Sequence, residues 1–141
     1  MPENACSLAG ELTARLEKRP EVLFALLFGS QASGQPHAHS DIDIAVFVDA
    51  SLSARQRLDL RLDVAGDLAD LGVADVTVLN DAPALLGHQA LMGTRLFVRD
   101  RSVWVRYFVK TIRESADQAY YRQIHATERR ARLEAGTYGR P

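Results

Sequence analysis

Val22-Leu23-Phe24-Ala25-Leu26-Leu27-Phe28-Gly29-Ser30 is the stretch around which the rest of the chain is organised. Seven consecutive apolar residues stop at a Gly-Ser pair. A run apolar at every position reads as a strand buried on both faces. A polar loop, Gln31 to Ser40, then leads into Asp41-Ile42-Asp43-Ile44-Ala45-Val46-Phe47-Val48. This second run also reads as a strand, yet it opens on two aspartates, a residue type that strands disfavour. Side chains alternate along a strand, so Asp41 and Asp43 share one face while Ile42 takes the other. Carboxylates side by side repel, and burying them without a partner is costly. A cation between them removes both objections, which makes the pair a candidate metal site.

Gly29-Ser30 has a complementary reading. Glycine lets the backbone bend sharply and lets a ligand approach it closely. If Ser30-Gln31-Ala32-Ser33 forms a short helical turn closed by Gly34, its free N–H groups make an anion site. Phosphate there, with Mg²⁺ on the aspartates, describes a nucleoside triphosphate held from two sides. The plainer alternative is a tight turn followed by a solvated Asp pair. A Gly-Ser pair, a ten-residue gap and Asp-x-Asp, in strand–turn–strand context, resembles the signature of the nucleotidyltransferase (polymerase β-like) superfamily.

At 141 residues, with 47% hydrophobic and 25% charged content, the chain has the make-up of a soluble globular domain with one core. The net charge of -1 says nothing about nucleic acid, but its distribution is uneven. Residues 1–100 carry 8 Lys/Arg against 14 Asp/Glu, and residues 101–141 carry 9 against 4. An acidic body with a basic tail suggests a partner surface on that tail; a solvated Arg-rich helix accounts for it equally well. The single cysteine, Cys6, rules out an internal disulfide and fits a reducing, cytoplasmic setting. It reads as a packing or exposed residue. No run is long or apolar enough for a membrane span, and the start lacks a basic segment followed by an apolar one.

A helix is expected over residues 4–18, with Ala5, Leu8, Leu12 and Leu16 on one face and Pro20 ending it. In the loop, His37 and His39 read as exposed residues or phosphate contacts, since Mg²⁺ prefers oxygen ligands. Ser40 can orient Asp41 or cap the strand entry. Ser53 and Gln56 look like a capping box. Behind it, Leu58, Leu62, Ala65 and Ala69 recur at helical spacing, as in a crossover helix ending at Leu71-Gly72. Val73-Ala74-Asp75-Val76-Thr77-Val78-Leu79 then reads as a further strand. If it lies beside the strand of Asp41 and Asp43, three carboxylates converge on one face; alone, Asp75 is an ordinary strand-edge acid. Asn80 to Pro83 starts another helix, with Leu85, Leu86 and Ala90 as its buried face, His88 as a surface or half-buried residue and Gly93 at its end. Thr94 to Val98 is a fourth strand. From Ser102 to about Leu133 runs one long or broken helix, with Trp104, Phe108, Ile112, Ala116, Ala119 and Tyr120 as its apolar stripe.

Leu27-Phe28-Gly29-Ser30-Gln31-Ala32-Ser33-Gly34, Ser40-Asp41-Ile42-Asp43-Ile44-Ala45-Val46 and Asp75-Val76-Thr77-Val78-Leu79 together resemble the minimal nucleotidyltransferase (MNT) family over most of residues 20–100. The resemblance implies an α/β fold: a small mixed β-sheet flanked by helices, the polymerase β-like palm, with a long C-terminal helix. Residues 1–100 are then the minimal catalytic domain and 101–135 a helical extension of it. Residues 136–141 are then a disordered tail. Many such proteins are antitoxins paired with a HEPN-domain ribonuclease toxin, transferring AMP from ATP to a toxin tyrosine. By that analogy Gly29, Ser30 and Ser40 bind the nucleotide, and Asp41, Asp43 and Asp75 are the catalytic, metal-binding acids for two Mg²⁺ ions. Asp75 either accepts the hydroxyl proton or shares the second metal. The implied partners are the HEPN toxin and ATP, with no direct nucleic-acid contact and no membrane. One departure stands out: the family commonly has Arg after Gly-Ser, where this chain has Gln31, so either nucleotide affinity is weaker or another cation, Arg95 or Arg99, compensates. Two other functions fit less well: neutralising a toxin by binding alone, and transfer to a small molecule as in aminoglycoside-modifying relatives.

Overall fold

The computed structural model describes residues 3–29 and 42–134. Four strands and four helices follow one another as α1 (Glu3–Glu17), β1 (Val22–Phe28), β2 (Ile42–Val48), α2 (Ala54–Leu68), β3 (Val73–Val78), α3 (Ala84–Leu91), β4 (Thr94–Val98) and α4 (Arg101–Glu134). The strands form one mixed sheet in the order β3-β2-β1-β4. β1 is antiparallel to both β2 and β4, while β3 joins β2 in parallel after the α2 crossover. This is the α/β palm architecture expected from the sequence.

Period-two alternation in β2 splits the core into two layers. Ile42, Ile44, Val46 and Val48 face α1 and α2, meeting Leu12, Leu16, Leu60, Val64 and Leu68. Ala45 and Phe47 face α3 and α4, in a layer with Phe24, Leu26, Leu79 and Ala90. Phe24 centres this second layer: its ring stacks on Phe47 at 5.0 Å and meets Trp104 edge-on at 4.9 Å. Each such pair adds about 0.5–1.5 kcal/mol beyond the area it buries. Asn80 fixes the end of the sheet, its side-chain amide both donating to the Val48 carbonyl and accepting from the Val48 N–H at 2.9 Å.

Helix starts follow local chemistry. The Ser53–Gln56 capping box is formed, and Asp100 accepts from the Ser102 hydroxyl and from the N–H groups of Ser102 and Val103. Helix faces do not follow the sequence expectation. In α2 the buried residues are Leu60, Val64 and Leu68, whereas Leu58 and Leu62 are exposed. Leu58 and Leu60 lie about 200° apart on a helix, so two rival stripes of equal spacing exist and only the sheet chooses between them. In α3 the small residues Ala84, Gly87 and Ala90 are buried rather than Leu85.

In α4 the inner face is Trp104, Tyr107, Thr111 and Ser115; Phe108, Ile112 and Tyr120 are exposed. A stripe stepping by fours drifts about 40° per step, which carries the expected one off the contact. The mix of three and four holds it, and the small Thr111 and Ser115 let α4 approach α3 closely. There Ser115 Oγ pairs with His88 Nδ1 at 2.9 Å, so His88 is half-buried, as one of its two expected placements, in a helix–helix contact.

Candidate active site

Asp43 and Asp75 are direct neighbours. β2 and β3 pair Ile42 with Val73, but the register then shifts by one residue, so that Asp43 pairs with Asp75, Ile44 with Val76 and Val46 with Val78. The shift has a consequence for side-chain direction. Val73, Val76 and Val78 all join the α1/α2 layer, although 73 and 76 differ in parity. One extra residue in β3 lets Val73 stay in that layer while Asp75 turns to the face that Asp43 shares with Ala45 and Phe47.

Gly29 closes on this pair from the other side. Phe28 pairs with Asp43 across β1 and β2, and Gly29, the next residue, has φ +89°. A Cβ built on Gly29 would lie 2.6 Å from Asp43 Oδ2. The missing side chain is therefore what lets this carboxylate sit against the bend. Gly93 supports the same strand end, its Cα packed so closely on the Leu27 carbonyl and on Phe28 that no side chain fits.

Asp75 has a cationic neighbour that sequence reasoning missed. Arg61 of α2 donates from Nε to the Val76 carbonyl at 2.8 Å and from Nη2 to Asp75 Oδ1 at 3.3 Å. Because β3 is an edge strand, that carbonyl is open to a helix residue reaching round the sheet. The partial signal in the sequence was the Arg57/Arg61 spacing of four. Arg57 makes the parallel contact to Asp81 at 2.9 Å, and both arginines border a cleft of about 350 Å³ with Asp75, Thr77 and Pro83.

The two cations that could compensate for Gln31 are placed differently. Arg99 donates to the carbonyls of Val22 and Glu17, at the end of β1 remote from Gly29, which removes it from the site. Arg95 pairs with Leu26 and lies over the Trp104 ring at 5.6 Å, on the face that the acids use. Ser30, Gln31, His37, His39, Ser40 and Asp41 lie outside the described residues, as do residues 136–141 and the Cys6 side chain. Among the described residues no group of three His, Cys, Asp or Glu gathers as a metal cluster. Two carboxylates on one face, beside a glycine cradle, are nonetheless the hard oxygen donors that Mg²⁺ takes. No described helix is long and apolar enough to cross a membrane.

A mixed palm sheet with an acid near the start of its second strand, paired with an acid on the third and set against a glycine bend, fits the nucleotidyltransferase class. The chain belongs to the polymerase beta nucleotidyltransferase family, whose model matches residues 11–102. Its fold is shared along almost the whole length with chains of solved toxin–antitoxin complexes. One was crystallised with AMP-PNP (29% identity, TM-score 0.53, covering 96% of this chain and 98% of that one). A second is an MntA–HpeT mutant (26%, 0.55, 87% and 96%). A third holds the tri-AMPylated Shewanella oneidensis HEPN toxin in complex with MNT antitoxin (26%, 0.53, 90% and 97%). No curated protein matches the chain.

Proposed function

We propose that this nucleotidyltransferase is the antitoxin of a HEPN/MNT pair and transfers AMP from ATP to a tyrosine of its ribonuclease partner. The observation that carries the reading is the Asp43–Asp75 pairing on one sheet face, with Gly29 fitted against the Asp43 carboxylate. The toxin–antitoxin complexes that share the fold support the choice of partner, and the AMPylated toxin among them supports the choice of group transferred.

In this reading Gly29 and Ser30 hold the triphosphate through their backbone, and Ser40 steadies Asp41. Asp41, Asp43 and Asp75 are the oxygen ligands for two Mg²⁺ ions, which when bound neutralise phosphate charge and lower the pKa of the attacking hydroxyl. The tyrosine oxygen attacks the α-phosphorus, its bond to the phosphate forms as that to pyrophosphate breaks, and its proton leaves to water, Asp75 here sharing the second metal rather than accepting the proton. Being partly exposed at the sheet edge, Asp75 can meet an acceptor arriving on another protein.

The test is to incubate the purified pair with ATP and Mg²⁺ and weigh the partner. A gain of whole AMP units, lost with Asp43→Asn while the fold persists, is expected. Inhibition of the partner without any gain in mass would make the chain a binder only, and a full gain with Asp43→Asn would remove the acid from the chemistry.

A further inference from the structure

We infer that Arg61 is a positioning residue that competes with divalent cations for Asp75 and so sets how tightly the acidic site holds a metal. The inference rests on the reading of Asp43 and Asp75 as metal ligands. Arg61 leaves α2 on the Leu60 side of the sheet, passes the β3 edge and ends beside a carboxylate on the opposite face.

Its two contacts are unequal. The shorter, 2.8 Å from Nε to the Val76 carbonyl, is to backbone and does not depend on Asp75. The longer, 3.3 Å from Nη2, is to Asp75 Oδ1. The guanidinium is therefore tethered whether or not Asp75 stays with it, and the carboxylate is the mobile member of the pair. Asp75 has two directions to satisfy its charge: Arg61 at the edge, or a cation shared with Asp43. Arginine does not lose its proton in proteins, so this rival charge is permanent. A site with such a rival binds free metal weakly and fills when a triphosphate brings additional negative charge with the ion. Both side chains are about half exposed, which limits the competition to the range of surface ion pairs.

The experiment uses Mn²⁺ as the probe, followed by its EPR signal, in the full chain without nucleotide. Arg61→Gln keeps a donor for the Val76 carbonyl and drops the charge; it should bind Mn²⁺ about two- to five-fold tighter than wild type. Arg61→Lys keeps the charge and should stay within error of wild type. Thermal melts establish that both variants fold. Equal or weaker binding by Arg61→Gln overturns the inference, as does a gain shared by Arg61→Lys. Asp43→Asn separates the two readings. If it lowers Mn²⁺ affinity while Arg61→Gln changes nothing, the metal site stands and Arg61 has no part in it. If no form binds Mn²⁺, the inference falls, and the AMP-transfer assay on the purified pair decides the proposed function separately.

Discussion

Replacing Gly29 by alanine tests the junction on which the site is built. Two separate costs follow from the geometry. The first is conformational: an L-residue held near φ +89° is strained by about 1–3 kcal/mol. The second is a collision, since the new Cβ falls 2.6 Å from Asp43 Oδ2 and 3.4 Å from its Cγ. That contact is with the end of a side chain, so Asp43 relieves it by swinging away, at small cost to stability but at the expense of its position. The expected result is a variant that remains folded, because about 1–3 kcal/mol is less than the stability of an ordinary domain. Its AMP transfer falls about a hundredfold, as a displacement near 1 Å is enough for that. Urea melts read the first cost and mass spectrometry of the modified partner reads the second. The two can be separated: in an Asp43→Ala background the stability loss should persist, since it arises from φ rather than from the contact. Wild-type stability and transfer in Gly29→Ala would refute the reasoning outright.

Two further outcomes test the fold. Leu58→Gln and Leu62→Gln should each change stability by no more than about 0.5 kcal/mol, whereas Leu60→Ala should cost about 2–5 kcal/mol in urea melts; the reverse order would put the wrong face of α2 inward. The Arg15 guanidinium, by its hydrogen bond, holds the Asp70 carboxyl below its ordinary value of 3.8. A carboxyl depressed in the folded state stabilises above the unfolded pKa, and that contribution is lost as pH falls through the lower folded value. Melts across the acid range should therefore show a shallower loss of stability for Asp70→Asn than for wild type, and identical acid limbs would show that the pair does not couple α1 to the turn that follows α2.

What the sequence determined by itself is what depends on near neighbours. An unbroken apolar run, the Gly-Ser stop, the Asp-x-Asp opening of the next strand and the Ser53–Gln56 cap are each complete within a few residues. Local sterics and hydrogen bonding decide them. They sufficed for the α/β palm and for the position of Gly29 and Asp43. Only the tertiary structure decided which stripe of α2 and α4 turns inward, because α2 carries two rival apolar rows of equal spacing, the inner row of α4 includes the polar Thr111 and Ser115, and the elements they pack on are remote in sequence. It alone set Asp75 beside Asp43, through a one-residue register shift that the alternation of Val73 to Val78 does not announce. It alone brought Arg61 round the sheet edge and took Arg99 to the wrong end of β1 for phosphate. Long-range pairing, not residue type, assigns such partners, since a guanidinium pairs with whichever carbonyl or carboxylate the fold brings within reach.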